Sequence, residues 1–182
     1  MQPKNQTELH YLLCCKAREW LYQHNYQLVA REVWQFFSPG YTENIKKNGN
    51  RRDIVDVAGV KFIKKWESNV GYKTVDHKCA TIEAKASIED FKAGYCRHDY
   101  GAEYIITPQG MLTAEMIPKG IGLLELTPKG VFCVKPARHK GKQFSDMLLP
   151  WICARATSEL LKITCPEHKD MFEKAKIING IK

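Results

Sequence analysis

The stretch Ala80-Thr81-Ile82-Glu83-Ala84-Lys85-Ala86-Ser87 constrains the fold more than any other. Its small and apolar residues are those of a buried strand, yet it carries a carboxylate and an amine two positions apart. Side chains alternate faces along a strand, so Glu83 and Lys85 share one face and Ile82 and Ala84 the other. Burying unpaired charge is costly, so this pair needs partners or a task. Upstream, Arg51-Arg52-Asp53-Ile54-Val55-Asp56-Val57 reads as a second strand with a carboxylate at its entrance. On a regular strand Asp53, Val55 and Val57 share one face, while Ile54 and Asp56 take the other. Asp53 and Asp56 therefore cannot both face one site. Asp53 is the choice because it adjoins a basic turn, and Asp56 is its rival.

An aspartate with Glu-x-Lys suits phosphodiester hydrolysis. That reaction needs an activated water and relief of the charge that builds up at phosphorus, and a divalent ion supplies both. Magnesium takes hard oxygen ligands. Asp53, Glu83 and the Ala84 backbone carbonyl offer three, with Lys85 placed to orient or deprotonate the water.

The chain has 182 residues and suits one domain with a substantial core. Its net charge of +8 and pI near 9.1 fit a polyanionic partner such as DNA. Seven scattered cysteines with no C-x-x-C pair suit free thiols in a reducing cytoplasm. No run reaches the roughly 18 apolar residues of a membrane helix, and the N-terminus has no apolar signal core, so no membrane partner is expected.

Apolar spacing predicts a helix over residues 7–24, capped by Thr7 and stopped at Asn25; Glu8 and Glu19 read first as solvated surface acids, with an acid that reaches the site as the alternative. Residues 26–34 read as a strand carrying a further candidate acid, Glu32. Around the turn signal Asn48-Gly49, Lys46, Lys47, Arg51 and Arg52 could grip phosphates or equally form a solvated turn. Lys61, Lys64 and Lys65 interleave with Trp66 and Tyr72, the pattern of an edge hairpin guarded by lysines or of a nucleic-acid contact. A loop is expected over 67–72.

Ser87 caps a helix that reaches about Asp99, with Asp90 at the third position. A strand at 103–107 follows, giving a crossover and a mixed sheet. Met111–Met116 reads as a short helix. Residues 122–126 and 131–134 form a hairpin, 143–163 a helix with Trp151 on it, and 167–176 a last short helix. The expectation is an α/β domain over 1–182. A core with a central mixed sheet and flanking helices occupies 1–136, and a helical extension occupies 137–182.

Asp53 with Glu83-x-Lys85 resembles the PD-(D/E)XK nuclease superfamily, the restriction-endonuclease-like fold. Glu32-Val33, Arg51-Arg52-Asp53-Ile54-Val55, Ile82 through Phe91, Tyr95-Cys96, Tyr104 through Pro108 and Ile121 through Leu124 resemble its MmcB-type DNA-repair branch, over about residues 8–135. The resemblance implies a Mg²⁺- or Mn²⁺-dependent endonuclease acting on DNA in repair, recombination or defence, on structured or branched substrates. It carries Asp53, Glu83 and Lys85 over as the catalytic set, with Glu32 beside them. Nucleases that cut both strands often work as homodimers. The stretch between Asp53 and Glu83 is longer than that branch suggests, which makes Asp76 another candidate aspartate. A chain with the same fold that binds nucleic acid without cutting it is the alternative.

Overall fold

A computed structural model describes residues 8–35, 53–95, 101–138 and 142–164. In order these form α1 (Glu8–Gln23), β1 (Leu28–Gln35), β2 (Asp53–Glu67), β3 (Gly71–Ala84), α2 (Ile88–Lys92), β4 (Ala102–Pro108), β5 (Gly122–Thr127), β6 (Gly130–Lys135) and α3 (Lys142–Thr164). The six strands make one mixed sheet in sequential order. β1, β2 and β3 are antiparallel neighbours, β3, β4 and β5 run parallel, and β6 returns antiparallel. The expected α/β architecture, a central mixed sheet flanked by helices, is what forms.

The core has a layer on each side of the sheet. α1 buries Leu13, Cys14, Ala17, Trp20 and Leu21 against Val57, Ile82, Ala84, Ile106 and Leu124. That is the i, i+3, i+4 stripe read from the sequence. α3 buries Leu148 and Ile152 against Ala30, Val33, Val55, Ala58, Val60 and Cys79. Fully burying two such side chains contributes about 3–6 kcal/mol. α3 is therefore a layer of the core rather than an appended extension. No helix among the described residues is long and apolar enough to cross a membrane.

β2 and β3 form one long hairpin, with the chain reversing at residues 68–70. The loop expected over 67–72 is shorter, because Trp66 pairs with Tyr72 and Glu67 with Gly71. This ribbon explains the length between Asp53 and Glu83. β1 partners β2 only up to Val60, and β4 partners β3 only from Ala80, so residues 61–78 project as two strands.

Two helix expectations fail. α2 stops at Lys92, because Gly94 takes a left-handed φ of 105° and turns the chain well before Asp99. Met111–Met116 forms only turns, between Pro108-Gln109-Gly110 and Pro118-Lys119-Gly120. Gly101 sits in the left-handed region at the entry to β4, and a methyl group there would strike the Cys79 carbonyl. Thr7 and residues 167–176 lie outside the described residues.

Candidate active site at a strand fork

The site forms where β2 leaves β3. Their ladder ends at Val57 opposite Ile82, while β2 stays paired with β1 as far as Asp53 opposite Gln35. At the fork, the carboxylate of Asp56 takes up a backbone donor. The Ala84 N–H donates to Asp56 Oδ2 at 2.8 Å. One register step past Val57–Ile82, Asp56 stands beside Glu83.

The period-2 alternation that separates Asp53 from Asp56 holds only on an unbroken pleat, and the pleat breaks here. Arg31 and Val33 are two apart on β1, yet Arg31 lies over the Tyr11 ring of α1 while Val33 packs under α3. Val57 and Val55 divide in the same way across β2. Between them Glu32 takes a left-handed φ of 51°, unusual for a residue with a Cβ. That twist resets which faces the following side chains take, and Asp56 sits opposite it. Asp56, the rival, is thus the carboxylate joined to Glu83. The Asp53 side chain lies outside the described residues, as do Lys46, Lys47, Arg51 and Arg52. Asp76 lies far along the ribbon, opposite Ile63, and does not join the fork.

Glu83 and Lys85 are both 8% exposed. Burial pushes the Glu83 carboxyl well above the usual carboxylate range, the neighbouring Asp56 charge adds to this, and Lys85 opposes it. Two acids side by side in a dry fork repel, so one favours its proton unless a cation sits between them. Lys85 Nζ donates to the Gly94 carbonyl at 2.8 Å and contacts Asp90 Oδ1 at 3.4 Å. Its strand supports it from the other side, with the Lys85 N–H donating to the Ile106 carbonyl.

The predicted helix cap is also the lysine's clamp. Asp90 N–H donates to Ser87 Oγ, and Asp90 Oδ2 accepts from the Ala86 N–H. One aspartate thus fixes the helix start, the strand end and the amine.

α1 brings His10 and Cys14 to the fork rather than an acid. His10 Nε2 lies 3.6 Å from Asp56 Oδ1. Its pKa is raised by that hydrogen-bonding partner, against the opposing effect of burial. Cys14 is almost fully buried next to them, and burial pushes its thiol up, with Asp56 adding to the effect. The acids named from the sequence lie elsewhere. Glu8 is exposed, and Glu19 pairs with Lys16 at the surface. Glu32 takes Arg155 of α3 at 2.8 Å and serves the helix-to-sheet contact. The sequence signal for His10 and Cys14 is their spacing of four, which stacks them on one helix face. They continue the apolar stripe toward the N-terminus of α1.

Lys64 and Lys65 lie exposed on the projecting ribbon, next to a Trp66–Tyr72 edge contact with centroids 5.0 Å apart. Trp66 is 61% and Tyr72 73% exposed.

No family model matches the chain, and no curated protein matches it. A solved structure of SPO1766, a protein of unknown function from Silicibacter pomeroyi, is similar at TM-score 0.59 and 20% identity. The match covers 89% of this chain and 95% of that one. At that identity the likeness concerns the fold alone.

Proposed function

We propose that this chain is a metal-dependent endonuclease of the PD-(D/E)XK type that hydrolyses DNA phosphodiester bonds in repair, recombination or defence. The observation that carries the proposal is the Asp56–Glu83 pair at the β2–β3 fork, with Lys85 anchored two residues from Glu83. The residues fit a divalent ion such as Mg²⁺ or Mn²⁺. Glu83, held toward its protonated form by burial and then by the Asp56 charge, is relieved by a bound cation. Asp56 and Glu83 would hold it, with the Ala84 carbonyl between Glu83 and Lys85 as a third oxygen. When bound, such an ion lowers the pKa of water and neutralises charge on the phosphate.

The chain's own groups do the rest. Asp56 is oriented by the Ala84 N–H, so its second oxygen is presented at a fixed angle. Lys85 places a positive charge next to Glu83, where negative charge would accumulate on the reacting phosphate. Asp90 and Gly94 keep that amine from swinging into solvent.

The ribbon supports the choice of substrate. Over residues 61–78 it carries Lys61, Lys64, Lys65, Lys73 and Lys78 against Glu67 and Asp76. A two-stranded ribbon fits the DNA major groove, and exposed aromatic rings stack on unpaired bases.

The test is incubation of plasmid and branched DNA with the protein and Mg²⁺ or Mn²⁺. Cutting that vanishes in Glu83→Ala and Lys85→Ala supports the proposal. Salt-sensitive DNA binding with no cutting under any metal, unchanged by Glu83→Ala, would instead identify a binding protein that has lost the chemistry.

A further inference from the structure

We propose that His10 and Cys14 complete, with Asp56, a binding site for a borderline transition ion of the Zn²⁺ or Co²⁺ class, which the donor set favours over Mg²⁺. One ligand atom from each of the three residues lies within 4.8 Å of the other two. The His10–Asp56 separation is already 3.6 Å. Ligand atoms around a tetrahedral zinc ion stand about 3.3–3.8 Å apart, given metal–ligand bonds of about 2.0–2.3 Å. Small side-chain movements therefore close the set.

Two of the donors stand one helical turn apart on α1, so the helix presents imidazole and sulfur together without any loop having to order. The third comes from a strand whose carboxylate is already oriented by a backbone N–H. Three protein ligands leave a fourth position for water, as in open zinc sites.

The chemistry of the donors selects the ion. Nitrogen and sulfur suit zinc and its neighbours, whereas magnesium takes oxygen and retains its waters. Loading exchanges the thiol S–H bond for a sulfur–metal bond, and the proton leaves to solvent. Burial of Cys14 keeps the metal-free thiol protonated and protects it from casual oxidation.

The experiment is an anaerobic Co²⁺ titration of the full reduced chain, followed by its absorption spectrum. A sulfur-to-cobalt charge-transfer band in the near ultraviolet is expected, saturating at one ion per chain and bleached by Zn²⁺ but not by excess Mg²⁺. Cys14→Ala should lose the band. His10→Gln, at a partly exposed position that leaves the core intact, should keep a band and bind Co²⁺ at least about tenfold more weakly. Absence of the band in the wild type, or its survival in Cys14→Ala with unchanged affinity, would overturn the proposal. Cobalt binding does not depend on DNA cleavage. A band without cutting would sink the nuclease proposal alone, and cutting without a band would sink this one alone.

Discussion

Replacing Glu83 with Gln should make the metal-free protein more stable while removing the proposed DNA cutting. Glu83 is 8% exposed beside Asp56, and its folded-state pKa is raised by burial and by that neighbour's charge. The folded protein keeps the Glu83 proton at pH values where the unfolded chain, with an ordinary value of 4.5, has lost it. Unfolding in that window releases a proton. The stability linked to Glu83 is therefore complete below about pH 4.5 and is lost as pH rises through the folded value. One proton gives a slope of at most about 1.4 kcal/mol per pH unit. Glutamine has no charge to lose, and its amide can donate to Asp56 where the protonated carboxyl did.

Relieving a destabilised functional site commonly gains about 0.5–2 kcal/mol. For a chain of this size that is a Tm increase of about 1–8 °C. The assay is thermal unfolding without metal at several pH values between 5 and 8. The gap between Glu83→Gln and wild type should widen with pH and then level off. Added Mn²⁺ should narrow it by stabilising the wild type alone. A Glu83→Gln protein that melts below wild type at pH 8, or a gap that ignores pH, would refute the reasoning.

His10 works in the same direction, since its raised pKa gives stability present below 6.5 that fades as pH rises through the folded value, so His10→Gln should flatten the pH–Tm curve above pH 6.5. Lys85→Met removes the donor to the Gly94 carbonyl, and chemical denaturation should show a loss of about 1–3 kcal/mol together with loss of cutting. Arg155→Ala removes the donor to the Arg31 carbonyl and the Glu32 partner. It should cost a similar amount in denaturant while the protein that remains folded cuts normally. Trp66→Ala should leave Tm unchanged, yet weaken single-stranded DNA binding by about 1–3 kcal/mol in a fluorescence titration.

The strands and their charged pair were legible because period-2 patterning survives where the sheet is regular. Glu83 and Lys85 sit where the alternation places them, and Ser87 with Asp90 caps α2 as the spacing implies. The choice between Asp53 and Asp56 was not legible. It depends on a left-handed Glu32 on the neighbouring strand, and a glutamate gives no local hint that its φ is positive. Glu32, an acid among apolar neighbours, suits either a sheet-edge charge or a polar site, and its partner Arg155 comes from a helix 123 residues later in the chain. His10 and Cys14 were legible in principle from their spacing on α1. The ribbon is half legible: its sequence suggests a longer loop than forms, since β-formers and lysines alternate there without an apolar face to mark a strand.

The most direct test of the central claim compares Asp56→Asn with Asp53→Asn in plasmid cleavage with Mn²⁺. Loss of cutting in Asp56→Asn, with cutting retained in Asp53→Asn and both proteins folded, is the expected result. Cutting retained in Asp56→Asn would show that the carboxylate pair at the strand fork is not the hydrolytic centre.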